Sequence, residues 1–330
     1  SYAFNNNYAN AADWFYKASD LGYESISILK YAQMLKAQEK YEEALKEFEK
    51  YLLEEPYRRP EMTQEIDACK KAITWIQRQE NEYERDTYVS ELTVLNSGDA
   101  DFNPVIYQQN KMIITSSRDL STGENNDSWT GDKYYDLFIS DIKSATSFSA
   151  PVLFTGPFNS EFNDGTLAVN KDYTEVYFAR CGSTDKKIDD YCGIYVSNYI
   201  DGKWSDPVSL PFFEDTMNLG TPCLSPDGNT LFFAATNPDG YGGADIYMSK
   251  RIEGGWDAPT NAGQVINTSG NEVFPYFDAE GNLYFSSDNH AGMGGLDIFS
   301  ATWKNGKFSN IRNLEYPINS GADDFGFIML

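Results

Sequence analysis

A single histidine, His290, bounds the acid–base chemistry open to this chain. A Ser–His–Asp or Cys–His nucleophile would have to draw on it, and it lies in the run His290-Ala291-Gly292-Met293-Gly294-Gly295, which reads as an exposed loop. No Gly-x-Ser-x-Gly elbow offers a nucleophile. No glycine loop ending in Lys-Ser/Thr offers a phosphate cradle, and one histidine is too few for a His-based zinc site. Carboxylates are the abundant chemistry, with 50 Asp and Glu against 26 Lys and Arg and a net charge of −24. Three of them, Asp136, Asp245 and Asp297, hold one place in successive sequence repeats. A group repeated in every unit reads as structural, an Asp accepting backbone N–H bonds from the loop before it. A ring of carboxylates binding calcium or cationic groups is the alternative, and Gly193 interrupts it in the second unit. The insert Asp119–Lys133 adds Glu124, Asp127 and Asp132, without the spacing of a calcium loop, so it reads as solvated. Trp129, Tyr134 and Tyr135, in or beside this insert, are candidate partner contacts for protein or glycan.

Cys181 and Cys192 end one strand and begin the next in a hairpin, so their thiols should face each other. A disulfide there would clip the polar loop 182–191 and point to an oxidising compartment. Two free thiols, or a metal pair lacking other ligands, are the alternatives. Cys69 and Cys223 read as buried apolar residues.

The elements that position these groups follow from a period of 52 residues. Gly242-Gly243-Ala244-Asp245-Ile246-Tyr247 returns as Gly294-Gly295-Leu296-Asp297-Ile298-Phe299, and Leu231-Phe232-Phe233-Ala234 returns as Leu283-Tyr284-Phe285-Ser286. Trp204, Trp256 and Phe308 keep the same spacing, with Phe148 in that role earlier. A fixed period near 50 with one aromatic strand pair per unit predicts a β-propeller. Each unit opens on an Asn: Asn96, Asn159, Asn218, Asn267 and Asn319. In the clearest copy the spacing predicts strands at 273–277, 283–287, 296–301 and 307–309. Asp-Gly turns at Asp227-Gly228 and in Asp278–Gly281 join the first two strands of their units. Four complete units and a fifth opened at Asn319 favour five blades, with six possible. The stretch Val89–Leu95 reads as a strand lent to the last blade.

Residues 1–86 are poor in Gly and Pro and read as helices. Ile28, Tyr31, Ala32, Leu35, Ala44, Phe48 and Pro56 fall on tetratricopeptide spacing, and Ala11, Phe15 and Ala18 repeat part of it 33 residues earlier. A further helix is expected over 65–82. Another kind of small helical bundle is the alternative. The fold class is therefore α plus all-β: tetratricopeptide-type helices over 1–86, then a propeller over 87–330. The first segment holds 12 basic and 17 acidic residues, a balance of −5, and the second 14 and 33, a balance of −19. Such a surface repels nucleic acid and anionic lipid. No apolar run reaches transmembrane length, so no direct membrane insertion is expected. The absence of an initiating Met and a signal peptide gives the expectation of a mature or trimmed chain.

These units, with Ser225-Pro226-Asp227-Gly228, Leu283–Ser287 and the Gly-Gly-x-Asp-Ile-Tyr/Phe run, resemble the WD40-like, TolB-type propeller repeats of Bacteroidetes envelope proteins. A tetratricopeptide array directly before such a propeller is similar to the OmpA-family periplasmic lipoproteins of that phylum, including a component of the type IX secretion system. The resemblance implies a non-enzymatic periplasmic scaffold with no cofactor, associated with the outer membrane. Its partners would be outer-membrane or periplasmic proteins, with peptidoglycan bound only through a C-terminal OmpA-like domain absent from these 330 residues. A glycan-binding or sugar-processing propeller, or a sensor for a small envelope ligand, is the competing expectation. It requires aromatic and carboxylate residues to converge at one mouth of the channel.

Overall fold

The computed structural model describes residues 7–81, 87–122, 131, 133–182, 191–212 and 217–330. It contains four α-helices followed by a β-propeller of four sheets among the described residues. The chain divides into two compact units. One comprises Ser1–Val89 with Ser287–Phe299 and Arg312–Asp324; the other comprises Ser90–Ser286 with Ser300–Ile311 and Phe325–Leu330.

In the first unit the helices are α1 (Tyr8–Asp20), α2 (Ile26–Lys36), α3 (Tyr41–Glu54) and α4 (Arg59–Glu80). The last is longer than the sequence suggests, because Pro60 sits in its first turn, where its missing N–H costs no bond. Ala32 and Ala44 are fully buried, which lets neighbouring helices approach closely, and Phe48, Cys69 and Ala72 complete the centre of the core. Met293, from the glycine-rich run, is also fully buried in this core. The Glu39 carboxylate accepts the Gly321 N–H at 3.0 Å, and Arg78 pairs with Glu315.

The sheets follow the 52-residue period. The first holds β1 (Asp101–Tyr107), β2 (Lys111–Ser116), β3 (Asp136–Ser144), β4 (Ser147–Phe148) and β5 (Val152–Leu153). The second holds β6 (Asn163–Val169), β7 (Glu175–Cys181), β8 (Cys192–Ile200), β9 (Lys203–Trp204) and β10 (Val208–Ser209). The third holds β11 (Leu219–Leu224), β12 (Thr230–Thr236), β13 (Ala244–Ile252), β14 (Gly255–Trp256) and β15 (Thr260–Asn261). The fourth holds β16 (Glu272–Phe277), β17 (Asn282–Ser287), β18 (Asp297–Lys304) and β19 (Lys307–Asn313). Innermost strands are neighbours in sequence order, β1 beside β6, β6 beside β11 and β11 beside β16. The central strands read as near-continuous apolar runs, as β12 does with Leu231–Ala235 all buried, because each sheet is covered on both faces.

One expectation differs from this picture and one is met in part. Four of the five favoured blades are present as sheets among the described residues. Phe325–Leu330, aligned with Val273–Asp278 at the 52-residue shift, forms no ladder among the described residues. The stretch Val89–Leu95 is not a strand: the Leu92 carbonyl accepts the N–H groups of both Leu95 and Asn96, at 2.9 and 3.2 Å, and closes a turn instead.

Candidate functional site

Each inner strand carries one residue in the left-handed region: Asn103 (φ 50°), Thr166 (φ 41°), Thr221 (φ 47°) and Phe274 (φ 54°). In the first three sheets these residues sit where the ladder register slips, a β-bulge that frees a backbone N–H. Hydroxyls capture the freed groups. Thr166 N–H donates to Thr115 Oγ1 at 2.9 Å, Thr221 N–H to Thr166 Oγ1 at 3.1 Å and Phe274 N–H to Thr221 Oγ1 at 3.2 Å. Proline follows the bulge residue at Pro104, Pro222 and Pro275, where an edge facing the axis needs no donor.

These bulged strands line a cavity of about 760 Å³ within the propeller unit. Its wall includes Pro104, Leu167, Cys223, Phe277 and Phe327, and Lys143 is the one Lys, Arg, Asp, Glu or His among its lining residues. Burial pushes the Cys223 thiol up to about 12, so it is neutral at physiological pH, and burial also raises the Tyr276 hydroxyl. No carboxylate stands among its described lining residues, which mix apolar side chains with Asn103, Gln109, Lys143 and Ser144. A second groove of about 890 Å³ runs between Val208–Phe212 and Arg251–Pro259. Arg251 stands 4.5 Å over the Trp256 ring and grips Glu175 with two bonds of 3.1 and 2.7 Å. Val208 (63% exposed) and Ile252 (51%) leave apolar surface there.

The repeated Asp residues line neither space. Asp136, Asp245 and Asp297 are each 1% exposed. Asp297 accepts the N–H groups of Met293 and Gly294 at 2.9 and 3.0 Å, Asp245 that of Tyr241 at 2.6 Å, and Asp136 that of Thr122 at 2.5 Å. Burial nevertheless drives the Asp297 carboxyl up to about 6. Cys181 and Cys192 are directly paired in the β7–β8 ladder and joined by a disulfide, while Cys69 and Cys223 are buried free thiols. His290 is half-buried with its ring 5.2 Å from Phe299, not exposed, because Met293 draws the loop into the helical core. Tyr134 and Tyr135 are half-buried, and the Tyr135 ring packs edge-on against Phe102 at 5.2 Å. Trp129, Glu124, Asp127 and Asp132 lie outside the described residues.

Two devices are visible in the sequence only with hindsight. The Asn that opens a unit clamps the third strand of the unit before it. Asn159 does so on Leu137, Asn267 on Ile246 and Asn319 on Ile298, accepting the N–H and donating to the C=O of the same residue. Asn218 accepts from Cys192 N–H. The acid five residues after the Asn is bound by the hydroxyl directly after the Asn. The pairs are Ser97 with Asp101, Ser160 with Asp164, Thr268 with Glu272 and Ser320 with Asp324. The pattern Asn-Ser/Thr-x-x-x-Asp/Glu was the available signal; the third unit, with Asn218-Leu219, lacks it.

No family model matches the chain, and no curated protein matches it. Among solved structures it is similar to TolB from Acinetobacter baumannii, at 16% identity and a TM-score of 0.36, over 56% of this chain and 39% of that one. It is also similar to a gluconolactonase from Xanthomonas campestris, at 15% identity and a TM-score of 0.39, over 65% and 62%. A third likeness is to an α-L-arabinofuranosidase from Lactobacillus brevis, at 11% identity and a TM-score of 0.42, over 68% and 76%.

Proposed function

We propose that this chain is a non-enzymatic docking module of the cell envelope. Its helices work as a tetratricopeptide-type array and its propeller as a five-unit ring, both presenting surfaces to protein partners. The observation that carries this reading is where the carboxylates are spent: Asp136, Asp245, Asp297, Asp164 and Glu272 are buried in bonds within their own units, while the described lining of the axial cavity holds no carboxylate. The Cys181–Cys192 disulfide supports an oxidising, periplasmic compartment. The resemblance of the repeats supports the finer reading, a tether of type IX secretion components at the outer membrane to peptidoglycan through a separate OmpA-like domain. Such a tether works by holding several weak contacts at high effective concentration.

Affinity capture from outer-membrane extracts tests it. Recovery of outer-membrane secretion proteins, reduced by Val208→Asp and Ile252→Asp, is the expected result. Glycan-array binding with no protein partner would overturn it in favour of the sugar-binding reading.

A further inference from the structure

The outer strands of the four sheets are not alike. In the first three, each is cut into two pieces of two residues: Ser147–Phe148 and Val152–Leu153, Lys203–Trp204 and Val208–Ser209, Gly255–Trp256 and Thr260–Asn261. A proline stands in each gap, Pro151, Pro207 and Pro259. Proline brings no N–H to an outer edge and blunts it against further pairing. At the same place in the fourth unit, 52 residues after Pro259, stands Ile311. The outer strand there, β19, runs unbroken for seven residues.

Within the propeller unit this edge is Lys307–Ile311. Its one ladder partner among the described residues is β18, so the other side of its backbone is open. Phe308 is buried and packs on Trp303 at 4.3 Å, which anchors the strand, while Lys307, Ser309 and Asn310 are exposed. Charge also sets this edge apart. Residues 298–314 hold Lys304, Lys307 and Arg312 and no carboxylate. The equivalent stretches 138–154, 194–210 and 246–262 hold at least as many carboxylates as cations. A chain of net charge −24 thus keeps a local positive excess at the one outer edge that no proline interrupts.

We propose that the outer edge of the fourth sheet, Lys307–Ile311, is a strand-addition site for an extended acidic segment of a partner protein. The open backbone N–H and C=O groups supply affinity for any extended chain, and the exposed Lys304 and Lys307 select one that carries carboxylates. A second copy is a poor occupant, because antiparallel pairing of two such edges sets lysine-bearing strands against each other. The site is separate from the Val208–Ile252 groove, so either can fail alone.

The test titrates the 330-residue chain with the end-blocked peptide Thr-Val-Glu-Val-Glu-Val-Thr and with its counterpart Thr-Val-Lys-Val-Lys-Val-Thr. The acidic peptide should bind at one per chain, with hydrogen-exchange protection appearing at amides within 307–311, and the lysine peptide should bind about tenfold more weakly. Lys304→Glu combined with Lys307→Glu, both at exposed sites, should reverse that preference, while Val208→Asp in the groove leaves it unchanged. Ile311→Pro should abolish binding; if that variant fails to fold by circular dichroism, the lysine pair decides. Absence of acidic-peptide binding at millimolar concentration, binding that leaves 307–311 unprotected, or equal binding of the two peptides overturns the proposal. Concentration-dependent self-association that protects the same amides without peptide also overturns it, by assigning the edge to a second copy.

Discussion

Asn267 holds both backbone groups of Ile246, accepting its N–H at 2.9 Å and donating to its carbonyl at 2.9 Å, across the step from one unit to the next. The contact is buried on both sides, Asn267 at 2% and Ile246 at 0% exposure. Sheets stacked around an axis meet mainly through apolar faces, which are indifferent to sliding. A two-bonded clamp on a single residue fixes the register of one unit against the next.

Asn267→Ala strands a buried N–H and C=O on Ile246, and each loses about 1–3 kcal/mol of solvation without return. A loss of about 2–4 kcal/mol in urea unfolding at unchanged m is expected. Asn96→Ala in the same chain should stay within about 0.5 kcal/mol of the parent, as for other exposed sites.

Reduction of the Cys181–Cys192 bridge releases the loop between β7 and β8. Cys181→Ser with Cys192→Ser should cost about 3 kcal/mol, because closing a loop of this length removes that order of free energy from the unfolded chain. Thiol counting in denaturant should give two free thiols in the parent before reduction and four after it. Four before reduction would contradict the bridge.

Much of this was legible in the chain, and the misses have physical causes. The Asp136, Asp245 and Asp297 contacts follow from their repetition beside glycine-rich or polar loops, where backbone N–H groups need acceptors. Val89–Leu95 has strand composition, but nothing in the sequence reveals that the Leu92 carbonyl turns the chain back. His290 read as exposed because its neighbours are glycines. What seats it is Met293, which joins a core built from residues more than 200 positions earlier, a separation no local pattern carries. The asparagine clamps were visible as a repeated letter, but their role lies in backbone groups, which are the same at every residue.

Met293→Ala should remove about 2–4 kcal/mol from the helical unit, since the thioether is fully buried and a cavity remains. The loss should show as faster hydrogen exchange in Ile28–Leu35 and Tyr41–Phe48, with the strands of β12 and β13 unchanged. Equal acceleration in those strands would mean the effect is not local.

Burial raises the carboxyls of Asp164 and Asp297 to about 6, against which Arg180 at Asp164 and the Met293 and Gly294 N–H groups at Asp297 pull down. A carboxyl whose folded value lies above its unfolded one binds its proton more tightly when folded. Its contribution is full below the unfolded value near 4 and is lost as pH rises through about 6. Between pH 4.5 and 7.5, Asp297→Asn should therefore lose less stability than the parent, by about 2 kcal/mol. Asp227, held below the usual range by Ser225 and the Asn229 N–H, acts oppositely, its contribution falling away below about pH 4. Identical pH slopes for parent and Asp297→Asn would rule out the assignment.

The docking role is tested most directly by a photo-activatable residue placed in living cells at Val208 or Ile252, on the open groove, and at Phe233, fully buried in the third sheet. Position 208 or 252 should yield a discrete cross-link to an outer-membrane or periplasmic protein, and position 233 should yield none. Cross-links absent from both groove positions, together with turnover of a glycan by the purified chain, would contradict the account.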